Sequence, residues 1–253
     1  MLRLDDVRVA LSKDRVVPFL QPIHNIKTGE LYGVEILARI IDAGENVISP
    51  DLFITELEKS KLIIPFTLTL MRKVMEMMKQ IQIQWKCPFY VFFNIPANML
   101  SDPALVMGGR YFLRNTHKEI KPVFEVTERI KISTHPEDVR IIKSLSADGI
   151  PLWLDDFCTG HSNLDSLKTG LFSGIKIPGE LVKNNSVKNL IDNIHLSLNE
   201  TGRQLHISLI AEGIETLNQL NYIKREGIDL AQGYFLCSPL CGSDFSDYIK
   251  KFY

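Results

Sequence analysis

Short apolar segments with the patterning of β-strands alternate with amphipathic helical segments from Pro88 to the end of the chain. Short connections join them, which is typical of parallel β-α-β units, where each helix returns the chain to the start of the next strand. Together with two strands before Pro88, the pattern contains eight strands. Eight strands with this many helices favour a closed barrel over an open sheet, so the sequence predicts an α/β fold, a TIM-like (β/α)8 barrel.

The beginning of the chain follows a different pattern. Charged and apolar residues at helical spacing predict a lead-in helix within residues 1–15. Two predicted strands follow, Val16–Ile23 and Leu31–Ile41, and only the turn at Lys27–Glu30 separates them. Strands joined this closely form an antiparallel hairpin. No linker or low-complexity tract interrupts the chain, so residues 1–253 are interpreted as one domain.

Further elements are predicted from periodicity and from residues that begin and end helices. They include helices over Asp51–Leu62, Phe66–Ile83 and Glu180–Thr201, and a last strand over Leu230–Leu236. The helix over Glu180–Thr201 is expected to be continuous, and Gln232 is expected to lie inside the last strand.

The charge balance gives no reason to expect some classes of partner. The chain has 253 residues, 23% of them charged, and a formal net charge of −1. Without a long basic run it offers no electrostatic reason to bind nucleic acid or an anionic membrane. The N-terminus lacks the apolar core of a signal peptide, and no apolar run approaches the roughly 18 residues that span a bilayer. We therefore expect a soluble, cytoplasmic chain, or the cytoplasmic domain of a larger membrane-anchored sensor.

Polar side chains recur at or near the C-terminal ends of the predicted strands, at Asn94, Glu125, Asp155, Lys176, Glu212 and Gln232. A single polar residue at such a place is usually a capping or loop-facing residue. Six in succession have a common explanation in a barrel, which gathers its active-site residues at that rim. Glu35 lies within the second strand, where Leu37 and Arg39 share its face. The adjacent pair Asp155 and Asp156 also needs a partner or a metal if it is buried.

These residue types favour one chemistry. Hard oxygen ligands are offered by Glu35, Asn94, Glu125, Asp155 and Asp156. Such oxygens suit Mg²⁺ or Mn²⁺, and four carboxylates would neutralise two divalent cations. Two cations about 3.5–4 Å apart are the usual device for in-line attack on a phosphodiester. The sequence therefore predicts metal-dependent hydrolysis of a phosphodiester.

Three charged residues complete the predicted site. Lys176 is expected to hold the attacking water or to stabilise charge on a phosphoryl oxygen. Glu212 is expected to accept a proton or to complete the shell of the second cation. Arg39 is expected to bind a phosphate of the substrate through its guanidinium group.

The motifs that contain these residues resemble those of the EAL domain family, the cyclic di-GMP-specific phosphodiesterases of bacterial second-messenger signalling. The resemblance extends from Gln21 to Leu240 and follows the family's order. The motifs are Glu35-Ile36-Leu37, Phe93-Asn94-Ile95-Pro96, Glu125-Val126-Thr127-Glu128, Asp155-Asp156-Phe157, Ile175-Lys176-Ile177, Ala211-Glu212-Gly213-Ile214-Glu215 and Gln232-Gly233-Tyr234. The resemblance implies hydrolysis of cyclic di-GMP to linear pGpG by a TIM-like barrel whose first strand runs antiparallel.

The resemblance also implies roles for individual residues. The implied ligands of two divalent cations, Mg²⁺ or Mn²⁺, are Glu35, Asn94, Glu125, Asp155 and Asp156. Lys176 and Glu212 would be catalytic or would orient water, and Glu128 would steady the loop after the aspartate pair. The implied substrate-binding residues are Gln21, Leu37, Arg39, Gln232 and Pro239, with Pro239 near a guanine. Ca²⁺ is expected to inhibit, because its larger and looser coordination suits the site poorly, and a homodimer is expected.

Some positions depart from the family's usual motifs. Ile36 replaces an alanine, and the alternation of a strand sends its side chain to the face opposite the metal ligand. Cys158 and His161 replace a glycine and a tyrosine in the loop after the aspartate pair. Pro178 replaces an aspartate two residues after Lys176, which removes a carboxylate from the cleft. Every implied direct ligand is retained, so we expect activity, at a lower level if Lys176 is less well oriented.

Two other functions are compatible with the motifs. One is a receptor that holds cyclic di-GMP without cleaving it, and the other is a degenerate EAL domain that regulates a protein partner through its surface. Loss of Glu35, Glu125, Asp155 or Lys176 would have favoured either of them, and none of these residues is lost. An active phosphodiesterase is therefore the first hypothesis.

Overall fold

The strands of the computed structural model, which describes residues 2–127, 135–155, 167, 169–200 and 207–253, form one sheet that closes on itself. The strands are β1 (Val16–Asn25), β2 (Leu31–Ile41), β3 (Val47–Ile48), β4 (Phe89–Pro96), β5 (Ile120–Thr127), β6 (Leu152–Asp155), β7 (Phe172–Ile177), β8 (Ser208–Ala211) and β9 (Leu230–Ala231). Their order is β1-β9-β8-β7-β6-β5-β4-β2-β3, and a further pairing of β1 with β2 closes the ring. The strand β3 pairs with β2 outside the ring. The predicted TIM-like barrel is confirmed.

The first strand runs against both of its neighbours. β1 pairs antiparallel with β2 and with β9, whereas the pairings from β2 through β4 to β9 are parallel. A tight turn produces this reversal, because the side chain of Asn25 accepts hydrogen bonds from the backbone N–H groups of Lys27 and Thr28. Gly29 then adopts a φ of 80°, a conformation that glycine takes without steric cost. The predicted hairpin is confirmed.

Helices follow the strands and cover the outside of the barrel. They are α1 (Leu4–Ser12), α2 (Ile54–Glu58), α3 (Ile63–Gln80), α4 (Pro103–Asn115), α5 (Pro136–Ala147), α6 (Gly179–Lys183), α7 (Val187–Glu200), α8 (Leu217–Arg225) and α9 (Gly242–Ile249). The main core lies between these helices and the sheet. None of the helices in the described part of the chain is both long enough and apolar enough to cross a bilayer.

A second apolar cluster fills the interior of the barrel. It consists of Ile23, Phe92, Val123, Trp153, Ile210 and Leu230, each from a different strand. Residues from six strands around one ring can meet in this way only inside the barrel. Gly174 of β7 leaves room for the indole ring, because a Cβ atom there would lie 2.4 Å from Trp153. The interior is therefore a packed apolar floor rather than a channel.

Three predicted elements differ from the structure. The helix predicted over Glu180–Thr201 is broken between α6 and α7, where Asn185 has a φ of 52°. Asparagine tolerates this left-handed conformation better than most residues, and it ends α6. The helix predicted over Asp51–Leu62 is also wrong: it is a short 3-10 turn followed by α2, and α3 begins three residues earlier than predicted, with Pro65 in its first turn.

The third difference concerns the last strand, which ends at Ala231 instead of Leu236. The Gln232 N–H still donates to the carbonyl of Ala211, as in a parallel ladder. The carbonyl of Gln232 then accepts from the N–H of Ile214, and Gly233 packs so closely on Ile214 that a Cβ atom would lie 2.2 Å from its nitrogen. This contact turns the chain away from the sheet and leaves Gln232 at the strand end.

Candidate active site

A polar layer lies directly above the apolar floor. Asn94, Glu125, Asp155, Glu212 and Gln232 each follow a floor residue by two positions, and Gln21 precedes one by two positions on the antiparallel strand β1. Side chains two apart on a strand point to the same side of the sheet. The period of the strands therefore directs all of these side chains to the carboxyl-terminal mouth of the barrel.

Lys176 lies at the centre of this layer and is 1% exposed. Its Nζ atom is 2.9 Å from Oε2 of Glu35 and 2.5 Å from Oε1 of Glu212. It also forms an ion pair with Glu125 and lies 3.9 Å from Oδ1 of Asp155. We call Glu35, Glu125, Asp155 and Glu212 the carboxylate cluster. Although Pro178 supplies no carboxylate, Lys176 is held by four others.

Glu35 is held from both sides by amide groups. Nδ2 of Asn94 donates to its Oε1 atom at 3.0 Å, and Nε2 of Gln232 donates to its Oε2 atom at 2.6 Å. The same Nε2 atom lies 2.9 Å from Oε1 of Gln21, which is paired with Glu35 across β1 and β2. Nε2 of Gln21 in turn donates to the backbone carbonyl of Cys237 at 3.4 Å. The orientation of Glu35 therefore depends on residues from both ends of the chain.

The oxygen atoms of the cluster are close enough to share a cation. Glu35, Glu125 and Glu212 each offer a carboxylate oxygen, and these oxygens lie within 4.8 Å of one another. Glu125 is fully buried, and its Oε2 atom has no hydrogen-bond partner among the described residues. The buried Oε1 atom of Gln232 also has none among them. Oxygen donors without partners in a buried carboxylate site fit Mg²⁺ or Mn²⁺.

The charges in the cluster are unbalanced without a metal. Burial raises the pKa of Glu125 well above its ordinary value, despite the opposing charge of Lys176. Burial likewise raises the pKa of Glu212 to about 8, although Lys176 acts in the other direction. Burial would lower the pKa of Lys176, but Glu125, Glu212, Glu35 and Asp155 raise it well above its usual value. One cation cannot keep all four carboxylates ionised when Glu35 and Glu125 are buried, so the site favours additional positive charge.

Glu35 responds differently from its neighbours. Burial alone would raise its pKa, but the charge of Lys176 and the hydrogen bonds from Asn94 and Gln232 outweigh burial and lower it. A carboxylate that accepts several charge-assisted and amide hydrogen bonds stays ionised. Glu35 is therefore the residue of the cluster that is prepared to bind a cation without first losing a proton.

Two cavities border the carboxylate cluster. One, of about 310 Å³, is lined by Gln21, Glu35, Glu212, Glu215, Gln232 and Tyr234. The other, of about 330 Å³, is lined by residues that include Leu37, Asp51, Thr67, Asn94 and Asp155. Each is at the lower end of the range of ligand-binding pockets. The mouth of the barrel therefore has room for a ligand on both sides of the cluster.

The predicted substrate-binding residues occupy different parts of the mouth. Gln21 and Gln232 line the first cavity, and Leu37 lines the second. The Arg39 guanidinium lies 5.4 Å from the centre of the Phe19 ring. Burial lowers the pKa of Arg39, and the charges of nearby Tyr234, Asp51 and Glu35 act in the opposite direction. Pro239 precedes Leu240, which bridges to Leu20 of β1. The contact of Pro239 with a guanine stays a prediction.

Several expectations fall on positions that the structure leaves undescribed. They concern Asp156 as a metal ligand, Glu128 as a support for the loop, and the substitutions Cys158 and His161, which all lie outside the described residues. Some residues that line the cavities were not predicted from the sequence, above all Asp51, Thr67 and Tyr234. Tyr234 belongs to the same motif as Gln232, so the motif could have indicated that Tyr234 lies at the site. Asp51 and Thr67 come from helical segments that only packing brings to the mouth.

The family comparison agrees with this geometry. Residues 4–239 match the EAL domain. The chain belongs to the EAL domain family. The motifs quoted from the sequence thus identified the family correctly, and the antiparallel first strand belongs to a barrel of this family.

Named relatives share this domain over nearly the whole chain. The probable cyclic di-GMP phosphodiesterase PdeG of Escherichia coli (strain K12) is 34% identical over 235 residues, which are 92% of this chain and 46% of PdeG. The cyclic di-GMP phosphodiesterase PdeL of the same organism is 30% identical over 247 residues, which are 97% of this chain and 68% of PdeL. The chain therefore spans about half of the first relative and two thirds of the second. Both relatives are named as cyclic di-GMP phosphodiesterases, which is the enzyme class predicted from the motifs.

A solved structure shows the same fold. The EAL enzyme Bd1971, in a form with cAMP and cyclic di-GMP bound, superposes with a TM-score of 0.82 at 25% identity. The similarity covers 97% of this chain and 69% of the Bd1971 chain. Relatives named for cyclic di-GMP and a structure solved with that nucleotide both contain this domain.

Proposed function

We propose that this chain hydrolyses cyclic di-GMP to linear pGpG in a metal-dependent reaction. The observation that carries the proposal is the placement of one buried lysine among four carboxylates, three from different strands and one directly after β8, beside two ligand-sized cavities. Such a cluster supports attack on a phosphodiester better than storage of an organic ligand, because a binding site alone would not need two buried glutamates beside two further acids. The names of the EAL relatives support the choice of nucleotide.

The proposed cofactors are two divalent cations, Mg²⁺ or Mn²⁺. The residues proposed to hold them are Glu35, Asn94, Glu125, Asp155 and Asp156. When bound, such cations would lower the pKa of a water molecule and offset negative charge on the phosphoryl oxygens. The unpartnered oxygen of buried Glu125 and the three carboxylate oxygens that lie within 4.8 Å of one another support this assignment.

The chain's own side chains are proposed to divide the remaining work. Lys176 keeps its proton, so its ammonium group is available to stabilise negative charge on an oxygen of the reacting phosphate. Burial raises the pKa of Glu212 to about 8 when the site holds no cation; bound cations would favour its ionised form, which is the candidate to accept a proton from the attacking water. Gln232 donates a hydrogen bond to Glu35, and we infer that it also contacts the phosphate and its water. Arg39 would hold a second phosphate, and Glu128 would steady the loop after Asp156.

A nucleotide assay tests the proposal. Purified chain is incubated with cyclic di-GMP and Mn²⁺ or Mg²⁺, and pGpG is followed by chromatography, with EDTA and with excess Ca²⁺ in parallel. We expect pGpG only with Mn²⁺ or Mg²⁺, and less of it when Ca²⁺ competes. Binding of cyclic di-GMP without formation of pGpG would show that the chain is a receptor and not an enzyme. Absence of both binding and turnover would favour a protein that regulates a partner through its surface.

Two matched changes of a carboxylate to an amide accompany this assay, one at a proposed ligand and one at a control position. Glu35→Gln removes the charge of a proposed ligand with almost no change in shape, whereas Glu45→Gln changes an exposed glutamate of the β2–β3 turn. Turnover is expected to fall by at least about 100-fold in the first variant, more than the usual effect of changing a residue that only orients a metal ligand, and to stay unchanged in the second. Equal turnover rates in both variants would show that Glu35 has no role in the reaction.

The assembly and the location belong to the same proposal. We infer a homodimer in the cytoplasm, where a bacterial second messenger would be available to the chain. Sedimentation velocity at several protein concentrations measures the assembly, and a single monomeric species across the range would contradict the dimer.

A further inference from the structure

The aromatic ring of Tyr234 is exposed at the edge of the active site. Its side chain is 69% exposed. Tyr234 lines the cavity of about 310 Å³ together with Gln21, Glu35, Glu212 and Gln232. None of the catalytic roles proposed above uses this ring. An exposed aromatic side chain that lines a ligand-sized cavity is available to a ligand bound there.

The backbone that carries this ring is held firmly. The Gln232 N–H donates to the carbonyl of Ala211, and the carbonyl of Gln232 accepts from Ile214. On the other side, the Phe235 N–H donates to the carbonyl of Ile214 at 2.9 Å. Gly233 between them approaches Ile214 so closely that no side chain fits. Tyr234 is therefore not at the tip of a loose loop, and its backbone position is fixed.

The same backbone links the ring to the carboxylate cluster. Gln232 is two residues before Tyr234, and its side chain donates to Glu35 at 2.6 Å. The position of the ring relative to the reacting atoms is therefore set by one short, hydrogen-bonded segment. Burial lowers the pKa of Arg39, and the charges of Tyr234, Asp51 and Glu35 act in the opposite direction, so the predicted phosphate-binding group is within electrostatic range of the ring.

We propose that the ring of Tyr234 stacks on one guanine base of cyclic di-GMP while the adjacent phosphate lies at the carboxylate cluster. This inference rests on the proposed function and adds a substrate-binding residue to it. Stacking on an aromatic side chain does not depend on the identity of the base, so Tyr234 contributes affinity rather than selection of guanine. The ring is exposed in the free protein because the nucleotide is its partner.

Three substitutions separate stacking from other roles. Tyr234→Ala removes the ring, Tyr234→Leu keeps apolar bulk without a π face, and Tyr234→Phe keeps the π face without the hydroxyl. We expect the KM for cyclic di-GMP to rise by about 5- to 100-fold in the alanine and leucine variants, the usual range for loss of one base–aromatic stack. The kcat should change little, because the stack is the same in the ground state and in the transition state. Tyr234→Phe should keep a KM close to that of the unchanged chain.

The control is Tyr111→Ala on α4, which removes a tyrosine ring of similar exposure (60%) that lines a cavity among α3 and α4 residues. Its KM should be unchanged, and thermal unfolding of all four variants should match that of the unchanged chain. A KM for Tyr234→Leu equal to that of the unchanged chain would overturn the stacking, and so would a loss of kcat at constant KM. Turnover by the unchanged chain distinguishes these failures from failure of the proposed function, in which cyclic di-GMP would be neither bound nor cleaved.

Discussion

Gln232 and Glu35 are 197 residues apart in the sequence, yet the Nε2 atom of Gln232 donates to Oε2 of Glu35 at 2.6 Å. Both side chains are buried, at 4% and 7% exposure. The contact bridges from the end of β9 across β1 to β2, at the place where the ring of strands closes. The closure of the barrel and the orientation of the proposed metal ligand therefore depend on each other.

Gln232→Leu tests this dependence, because it removes the amide and keeps a side chain of similar size. Glu35 then loses one of the hydrogen bonds that lower its pKa. We expect turnover of cyclic di-GMP to fall by about 10- to 100-fold, the usual effect of removing a group that orients a metal ligand. Gln82→Leu, at an exposed position between α3 and β4, serves as the control and should keep full activity. Equal kcat values in both variants would show that the contact has no catalytic role.

Lys176→Met tests the electrostatic role of the buried lysine. It removes the ammonium group from the carboxylate cluster, and removing one partner of a buried ion pair costs about 3–5 kcal/mol. We expect the free energy of unfolding at pH 8 in EDTA to fall by about that amount, and Mn²⁺ to restore part of it. Urea denaturation measures both effects.

The control for Lys176→Met is Lys250→Met. Lys250 forms an exposed ion pair with Asp247 at the end of α9, and such pairs contribute about 0–1 kcal/mol. Equal unfolding free energies for the two variants in EDTA would contradict the role assigned to Lys176.

The metal-free protein should lose stability as the pH rises. The pKa of Glu212 is about 8 in the folded chain, against 4.5 for an unperturbed glutamate, and that of Glu125 is raised in the same direction. Between these pH values the folded state holds protons that the unfolded state has released, so the free energy of unfolding falls from about pH 5 to pH 8. Glu35, whose pKa is lowered, acts the opposite way at more acidic pH.

Metal binding should release the protons that Glu125 and Glu212 hold in the metal-free protein. A divalent cation competes with the protons on Glu125 and Glu212, so the apparent affinity for Mn²⁺ should increase between about pH 6 and pH 8. Isothermal titration calorimetry in buffers with different ionisation enthalpies measures the protons released. A constant affinity without proton release would show that these carboxylates are already ionised or do not meet the cation.

Ile36→Ala tests the position where the chain departs from its family. Ile36 is 3% exposed and belongs to the core cluster between the sheet and the helices, on the face opposite Glu35. Truncation of a buried isoleucine costs about 2–5 kcal/mol, and turnover should stay within about threefold because no group of the cluster changes. Val9→Ala, with 52% exposure on α1, should have almost no effect on stability. A large loss of activity in a stable Ile36→Ala protein would show that this residue affects the site.

The polar layer could be predicted from the sequence for a simple reason. Strand geometry has a period of two, and β-α-β connections bring every strand end to the same rim. These rules place Asn94, Glu125, Asp155 and Lys176 together without knowledge of any distance. Hydrophobic patterning on both sides of each residue then fixes which side chains point inward.

Other features required the folded chain. The contact between Gln21 and the carbonyl of Cys237 joins segments that no periodicity relates. The exposure of Tyr234 depends on the turn that Gly233 makes against Ile214, which ended the last strand five residues earlier than predicted. The break at Asn185 follows from a local conformation that competes with a helical pattern and that the pattern does not reveal. Local backbone choices and long-range packing therefore set the details of the mouth.

The most direct test of the metal site is anomalous diffraction from crystals of the chain soaked in Mn²⁺. Two anomalous peaks are expected about 3.5–4 Å apart, within coordination distance of oxygen atoms of Glu35, Asn94, Glu125 and Asp155. Soaked crystals of the Glu35→Gln variant should lose one peak or both. Crystals that bind Mn²⁺ elsewhere and show no peak within the carboxylate cluster would contradict the account.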